Sequence, residues 1–503
     1  MGARFHRGRR RRGSAIVLFT TMLPTLLIPL VGLAIDGSRL YIVQAKLSCA
    51  VDGAALGSGR LLGTTANTTE IAGEFLNANF PSGFWGTSNL QPSIAFTKTF
   101  IMNKITVSAT VDVPLLFMRI FGQSRSTVAA SAVATRKETR VVLVIDRSGT
   151  MSGQLASVKS TATQFTNSFI SGYDEMGLVA FSGSGVVGYP TTRPYNTSPT
   201  SSGGPDNSFL TTQTNGNMVD MIGDLGSGSW TNMSDGLALA YLELQKADHR
   251  DNDPTRLNAI VLFTDGFPNA FSSYVNDPSN NSLKAKSTCN CTYDPATAGT
   301  VSTHMIGWVG GGTGSSGAVS GLYILGSDST DTHTTAYWMT YTGKPDETVG
   351  SGNLKSAVAG CNNLNQSSPN FADLNTMPTQ TIWGDSTSDG TAYKSSANYS
   401  GLTYSTSSPN IQGNVGIAAW NATDNVGKRI LADTNLNVSI YVIGYTGSGG
   451  NPDTYLLKRL ANTKDSSNYN TSWQVGQYVE AADTDALAQA FQAVAASILR
   501  LAQ

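Results

Sequence analysis

The apolar positions divide the chain into stretches with different periods. Residues 13–35, GSAIVLFTTMLPTLLIPLVGLAI, run for 23 positions without a charge. As a helix this stretch would be about 34 Å long, enough to cross a bilayer. Beyond it Leu40, Val43, Leu47, Val51, Ala54 and Ala55 recur at helical spacing, so the helix is expected to continue to about residue 62. Residues 65–80 predict a second helix. Residues 105–122 and 127–136 alternate apolar and polar as strands do.

From about residue 140 the pattern changes to apolar strands alternating with amphipathic helices. Val141 to Ile145 is a buried-strand run, followed by a helix over 153–170 and a strand over 177–183. A Gly/Ser loop leads into a helix in GSWTNMSDGLALAYLEL, and Ile260 to Phe263 forms another apolar strand. Residues 268–412 then break the alternation. They are rich in Ser, Thr, Asn and Gly, with scattered aromatics such as Trp338 and Trp383. So long a stretch exceeds a normal loop, and an irregular β-rich insertion is expected. The alternation resumes with a helix over 414–434, a strand over 437–445 and a short helix over 454–463. A strand and a closing helix follow, with Asp483 as N-cap and Leu487, Phe491, Val494 and Ile498 as the buried stripe. The fold class expected is α/β, a doubly wound Rossmann-like sheet interrupted by the insertion and preceded by a transmembrane helix and a small α+β stem.

The chemistry concentrates at the ends of the apolar strands. VVLVIDRSGT (141–150) closes on Asp146, with Ser148 and Thr150 at alternate positions after it. A carboxylate and two hydroxyls leaving one strand together can face a hard cation, which prefers oxygen ligands. The same residue types also make ordinary turns. NAIVLFTDG (258–266) ends a second strand on Asp265. The D-x-S-x-S/T pattern, with these parts in this order, resembles the metal-ion-dependent adhesion site of von Willebrand factor A domains. The resemblance implies that Asp146, Ser148, Thr150, Thr231 and Asp265 hold a divalent cation, Mg²⁺. It also implies an open coordination position that accepts a carboxylate from a protein partner. Thr150 stands where the family usually has Ser.

The N-terminal region carries a second resemblance. An arginine and glycine boundary, an apolar helix containing Leu-Pro, the exit GLAID and an Ala/Asp-rich helix are similar to TadE/TadG-like proteins of Flp pilus assembly. One departure is Leu18, where type IV prepilins usually carry Glu at the fifth position after the processing glycine. Whether Gly13 is processed is left open. The expected domains are a basic tail over 1–13, an anchor over 14–35, the stem over 36–136 and the A domain over 137–503, interrupted at about 268–412.

Charge fixes the orientation. Net charge is −1, but six of the 33 basic residues are arginines within the first 12 positions, leaving 27 against 34 acidic residues. A mildly acidic body does not suit nucleic acid. The arginine cluster is expected to stay cytoplasmic, placing the rest in the periplasm or outside the cell, with the anchor in the inner membrane. A cleaved signal is the rival, but no A-x-A pattern closes the apolar run. Of four cysteines, Cys49 suits a small packing role. Cys289 or Cys291 could pair with Cys361 in an oxidising compartment, or the three could bind zinc, although the usual C-x2-C spacing is missing.

No nucleophile elbow, zinc-protease helix or phosphate-binding loop occurs, and the four histidines are dispersed. An enzyme is not expected. The sequence points to a membrane-anchored protein of the Flp/Tad pilus system that binds a protein partner or a surface through its metal, for assembly, anchoring or adhesion. A pseudopilin-like structural subunit with the A domain at its tip is the alternative, and a metal-assisted hydrolase a more remote one.

Overall fold

The computed structural model describes residues 12–502, apart from 64–66, 99–101, 191–197, 212–215, 229, 253–255, 408–410 and most of 275–376. The chain forms two compact units, Met1–Lys137 and Glu138–Ala502.

In the first unit α1 (Arg12–Gly59) and α2 (Thr68–Asn79) cover an antiparallel sheet of β1 (Ser88–Lys98), β2 (Met102–Pro114) and β3 (Arg125–Lys137), in the order β1-β2-β3. Strict alternation along β2 buries Ile105, Val107, Ala109, Val111 and Val113 on one face. These meet the helical stripe of Val43, Leu47, Val51 and Ala54 and, from α2, Ala72 and Leu76. β1 is not announced by the sequence pattern. It carries Pro92, which an edge strand tolerates because the missing N–H can face away from the ladder. Residues 115–122, expected to continue a strand, instead form a turn with a short 3-10 helix at Met118–Phe121, closed by Gly122 at φ 87°. Proline at 114 ends the ladder there. Cys49 is exposed rather than packed.

The structure does not support the expected membrane span over 14–35. Among the described residues no helix is long and apolar enough to cross a membrane. Many side chains of that stretch lie outside the described residues.

The second unit is built on a six-stranded sheet. Its strands are β4 (Thr139–Asp146), β5 (Glu175–Phe181), β6 (Gly185–Tyr189), β7 (Leu257–Thr264), β11 (Ser439–Tyr445) and β12 (Gln477–Ala481). Their order is β12-β11-β7-β4-β5-β6, all neighbours parallel except the antiparallel edge strand β6. The central strands are buried along their length, apart from the half-buried Leu257 that opens β7, as continuous apolar runs in a two-sided sheet must be. Helices α3 (Leu155–Thr166), α4 (Met218–Asp224) and α8 (Thr484–Leu501) pack on one face. Helices α5 (Met233–Asp251), α6 (Asn414–Leu431) and α7 (Thr454–Leu460) pack on the other. Asp483 caps α8 by accepting from the Ala486 N–H at 2.8 Å, a contact worth about 1 kcal/mol. Leu487, Phe491, Val494 and Ile498 are all buried.

After β7 the chain enters β8 (Ala270–Tyr274), which pairs antiparallel with β9 (Ile306–Gly310), itself paired with β10 (Ala318–Tyr323). The end of the span expected as an insertion, residues 377–407, packs into the unit. Tyr393 and Tyr399 are buried in the α5/α6 face, and the Tyr399 hydroxyl donates to the Pro268 carbonyl at 2.7 Å. Cys289, Cys291, Cys361 and Trp338 lie outside the described residues.

Candidate metal centre

The site forms where the sheet changes direction. β4 lies between β5 and β7, so the connections leaving β4 and β7 diverge and open a crevice at their carboxyl ends. Asp146 is the last residue of β4, and Asp265 follows β7 directly.

Asp146 is fully buried. Its Oδ1 accepts from the Ser148 N–H at 2.8 Å, an Asx-type turn that folds the following residues back over the strand end. Its Oδ2 accepts from the Thr264 hydroxyl at 2.6 Å. Ser148 Oγ lies 3.2 Å from Thr150 Oγ1 and 3.5 Å from Asp265 Oδ1. Thr150 Oγ1 donates to Asp265 Oδ1 at 2.8 Å. Four of the five expected residues therefore converge, Asp146 being joined to the other three through Ser148. The extra methyl of Thr150 does not keep its hydroxyl from that group.

Thr231 arrives from the third loop. Its N–H donates to Asn269 Oδ1 at 2.7 Å, and its carbonyl accepts from the Asn269 and Ala270 N–H groups at 3.1 and 3.3 Å. A Cβ built on Gly266 would stand 3.4 Å from Thr231 Oγ1, so this hydroxyl faces the residue after Asp265. Among the described residues no hydrogen bond links it to the other four.

Electrostatics show what the site needs. Burial pushes the Asp146 carboxyl up to about 7, and the neighbouring Asp265 charge adds to the rise, against the hydrogen bonds from Thr264 and Ser148. Burial also raises Asp265, opposed by the Thr150 and Ser148 hydroxyls. Two carboxylates thus face each other in a desolvated crevice, where the charged forms are disfavoured. Among the described residues there is no group of three or more His, Cys, Asp or Glu side chains able to hold a metal. The donors here are two carboxylates and hydroxyls, a set that fits a hard divalent cation rather than a thiolate or imidazole metal.

The von Willebrand factor type A domain family matches residues 141–337. The Flp pilus-assembly TadE/G-like family matches 13–60, and the Tad-like Flp pilus-assembly family matches 62–134. The chain thus has N-terminal regions that match the Flp/Tad pilus-assembly families, and a von Willebrand factor type A domain after them. No curated protein sequence matches it. Similar solved structures include the pilus adhesin SpaC from Lactobacillus rhamnosus GG, at 12% identity and TM-score 0.33, covering 82% of this chain and 35% of that one. This chain therefore spans about a third of SpaC's length. A mutant of the PilB minor pilin from Streptococcus sanguinis aligns at 15% identity and TM-score 0.32, over 82% and 79% of the two chains. The vWF domain of the type V pili tip protein Mfa5 from Porphyromonas gingivalis aligns at 16% identity and TM-score 0.32, over 73% and 97%.

The A domain holds these loops with residues that the motif does not name. Arg147, buried within the motif, donates to the Gly226 carbonyl at 2.8 Å, and the Gly228 N–H donates to the Arg147 carbonyl at 2.6 Å. This ties the loop leading to Thr231 onto the end of β4. Asn232 caps α5 and donates from Nδ2 to the Gly183 carbonyl, Asp235 Oδ2 and Ser272 Oγ at 2.9, 3.0 and 2.9 Å. Asp235 also accepts from the Ser272 hydroxyl and, at 2.8 Å, from the Trp383 indole N–H. The sequence signal for Asn232 was its N-cap pattern, N-x-x-D before a helical run. Trp383 comes from a stretch 148 positions beyond Asp235 and has no local signal. Gly236 lets α5 sit close to the sheet, since a Cβ there would lie 2.6 Å from Phe181 Cδ1 and 3.0 Å from Val144 Cγ1.

Proposed function

We propose that this A domain binds a carboxylate-bearing protein partner of the pilus or envelope through a divalent cation, most simply Mg²⁺. Asp146, Ser148, Thr150, Thr231 and Asp265 would hold it. The observation that carries the proposal is the convergence of Asp146, Asp265 and the two motif hydroxyls in a buried crevice, where the described bonds to both carboxylates come from hydroxyls and backbone N–H groups. When bound, the cation would offer a coordination position to an anionic oxygen. The residues of the chain keep the ligands oriented and dry, through the Asx turn at Asp146 and the α5 cap at Asn232. The family matches point to a pilus-assembly or adhesion role, in keeping with a binding protein rather than an enzyme.

The membrane tether belongs to the same proposal and rests on sequence. Six arginines precede 23 uncharged residues, the arrangement that keeps a basic tail cytoplasmic and the following domain outside. Capture of partners from envelope extracts tests the metal part, with EDTA, with EDTA followed by excess Mg²⁺, and with Asp265→Asn. The bound partner should be lost with EDTA, return with Mg²⁺ and be absent for the variant. Capture indifferent to all three would sink the adhesion-site reading.

A further inference from the structure

The first unit exposes a continuous apolar surface at one end of its helix-sheet core. The turn between β2 and β3 presents Leu116, Ile120 and Phe121 at 49%, 76% and 62% exposure, with Phe117 and Met118 half-buried. Such a concentration of large apolar side chains is not idle decoration of a soluble surface. The turn is fixed to α1 at a defined height. The buried Asp36 carboxylate accepts from the Leu116, Phe117 and Met118 N–H groups at 2.8, 2.9 and 2.9 Å. Gly32, one turn earlier, makes room for Phe117, whose ring and Cβ would collide with any side chain there at 2.5–2.9 Å. Over the same height α1 itself exposes Leu27, Leu30, Val31, Leu33 and Ile35.

Polar and amphipathic groups follow immediately. Arg39 donates to the Trp85 carbonyl at 2.6 Å, and its guanidinium lies 5.8 Å from the centre of the half-exposed Trp85 indole. Trp85 stands at φ 54°, an unfavourable backbone for a large residue. Arg119 and Arg125 are exposed on the turn and at the start of β3. Arg39 lies seven residues beyond Gly32, roughly 10 Å along a helix. That is enough to cross a bilayer's headgroup layer on one side, about 5–7.5 Å deep. Apolar side chains at one level, then tryptophan and arginine at the next, is the order that a membrane interface selects.

We propose that the 115–122 turn is a lipid-inserting element. Leu116, Ile120 and Phe121 enter the outer edge of the hydrocarbon beside α1, while Trp85, Arg39, Arg119 and Arg125 lie at the level of anionic headgroups. This deepens the tether proposal and rests on it. The turn gives the helix a second point of contact, fixing the tilt and rotation of the first unit on the bilayer. A single helix leaves both free.

The test uses the full chain in vesicles of phosphatidylcholine and phosphatidylglycerol. A background carrying Cys49→Ser, Cys289→Ser, Cys291→Ser and Cys361→Ser receives Ile120→Cys, Phe121→Cys, Leu30→Cys or Lys104→Cys, each labelled with the fluorophore NBD. The background chain without an added cysteine is carried as the labelling control. All four positions are surface positions, so folding is not at stake. Nitroxide on the lipid acyl chains should remove most of the emission at residues 30, 120 and 121 and leave residue 104 bright, with aqueous iodide giving the reverse. Quenching by lipid at 30, with iodide quenching at 120 and 121, would overturn the inserting turn and leave the tether intact. Residues 120 and 121 shielded from iodide yet untouched by lipid nitroxide would mean that protein covers the patch, which also overturns it. No lipid quenching at 30 or 120 would remove the tether and this proposal together.

Discussion

Thr150 Oγ1 donates to Asp265 Oδ1 across 2.8 Å, although the two residues stand 115 positions apart. The contact exists because β4 and β7 are hydrogen-bonded neighbours whose carboxyl ends share one edge of the sheet. The hydroxyl supplies a hydrogen-bond donor to a carboxylate that burial has taken out of water. A cation would compete for the same oxygen.

Magnesium should therefore stabilise the folded chain. A ligand that binds only the folded state contributes about 2.7 kcal/mol at one hundred times its Kd. Titration of Mg²⁺ should raise the melting temperature of the wild type by a few degrees and leave Asp146→Asn unmoved. The asparagine keeps an acceptor for the Ser148 N–H, and the Thr264 hydroxyl can reverse to accept from its amide. Equal shifts in both proteins would remove the site.

Without metal, the contribution of Asp146 to stability should fall as pH rises. Burial and the Asp265 charge hold the folded Asp146 at about 7 against 3.8 for the ordinary group. Between those values the folded state keeps a proton that the unfolded state has lost. This contribution is thus fully present below about 4 and is lost as pH passes through 7. Each unit of separation is worth about 1.4 kcal/mol. Other carboxylates, such as Asp251 among its arginines, titrate in the opposite sense. The difference between wild type and Asp146→Asn isolates the effect. In EDTA, urea unfolding should show Asp146→Asn gaining on wild type from pH 4 to 8, and saturating Mg²⁺ should reverse the order. A pH-independent difference in EDTA would contradict the electrostatic picture.

Much of this was legible in the sequence, for a local reason. Asp146 and Asp265 each close an apolar β-branched run, so strand and ligand are written side by side. The Asp483 cap and the Leu487-to-Ile498 stripe of α8 likewise lie within one helix. What stayed hidden depends on contacts distant in sequence. β1 is stabilised by pairing with β2 and carries a proline that argues against a strand. Residues 115–122 read as strand because their apolar run continues past Pro114, yet Leu116, Ile120 and Phe121 point outward from a turn. Residues 377–407 look like polar loop, and only their packing shows Trp383, Tyr393 and Tyr399 to be parts of the A domain.

Trp383 gives a direct test of that packing. Its indole N–H donates to the buried Asp235, which also helps hold the α5 cap beside Thr231. Trp383→Phe keeps an aromatic ring and removes the donor. Leaving a buried acceptor short of a partner costs about 1–3 kcal/mol. The variant should melt earlier and bind Mg²⁺ several-fold more weakly by calorimetric titration. Lower stability with unchanged Mg²⁺ affinity would confine the network to supporting the fold.

Gly236→Ala sets two effects against each other. Alanine inside α5 should favour the helix by about 1 kcal/mol. Its methyl would press on Phe181 at 2.6 Å and Val144 at 3.0 Å, both buried in the central sheet. Overpacking of this kind costs about 1–3 kcal/mol, so the clash should win. Chemical denaturation should show a net loss. A more stable variant would mean that α5 can lift from the sheet without penalty.

The insertion can be separated from the A domain if it is cut where the chain leaves and returns. Ser273 Oγ donates to the Gln380 carbonyl at 2.7 Å, and the Ile382 N–H donates to the Ser272 carbonyl at 3.0 Å. The two ends therefore lie side by side, and a short glycine-serine linker in place of residues 276–376 should span them. That chain keeps Trp383, Tyr393 and Tyr399, although β8 loses β9 as a neighbour. Removing 268–412 instead would strip those aromatics from the core. At about 3–5 kcal/mol for each large aromatic, the loss would be comparable to the whole stability of an ordinary domain. The shorter deletion should melt cooperatively and respond to Mg²⁺, and the longer one should not fold. Because the insertion begins directly after β8, the strand that the Asp265 loop enters, it stands to share the partner surface. Capture from envelope extracts should then keep its EDTA sensitivity in the shorter deletion but change in affinity or choice of partner. Unchanged capture would show that the metal loops alone recognise the partner.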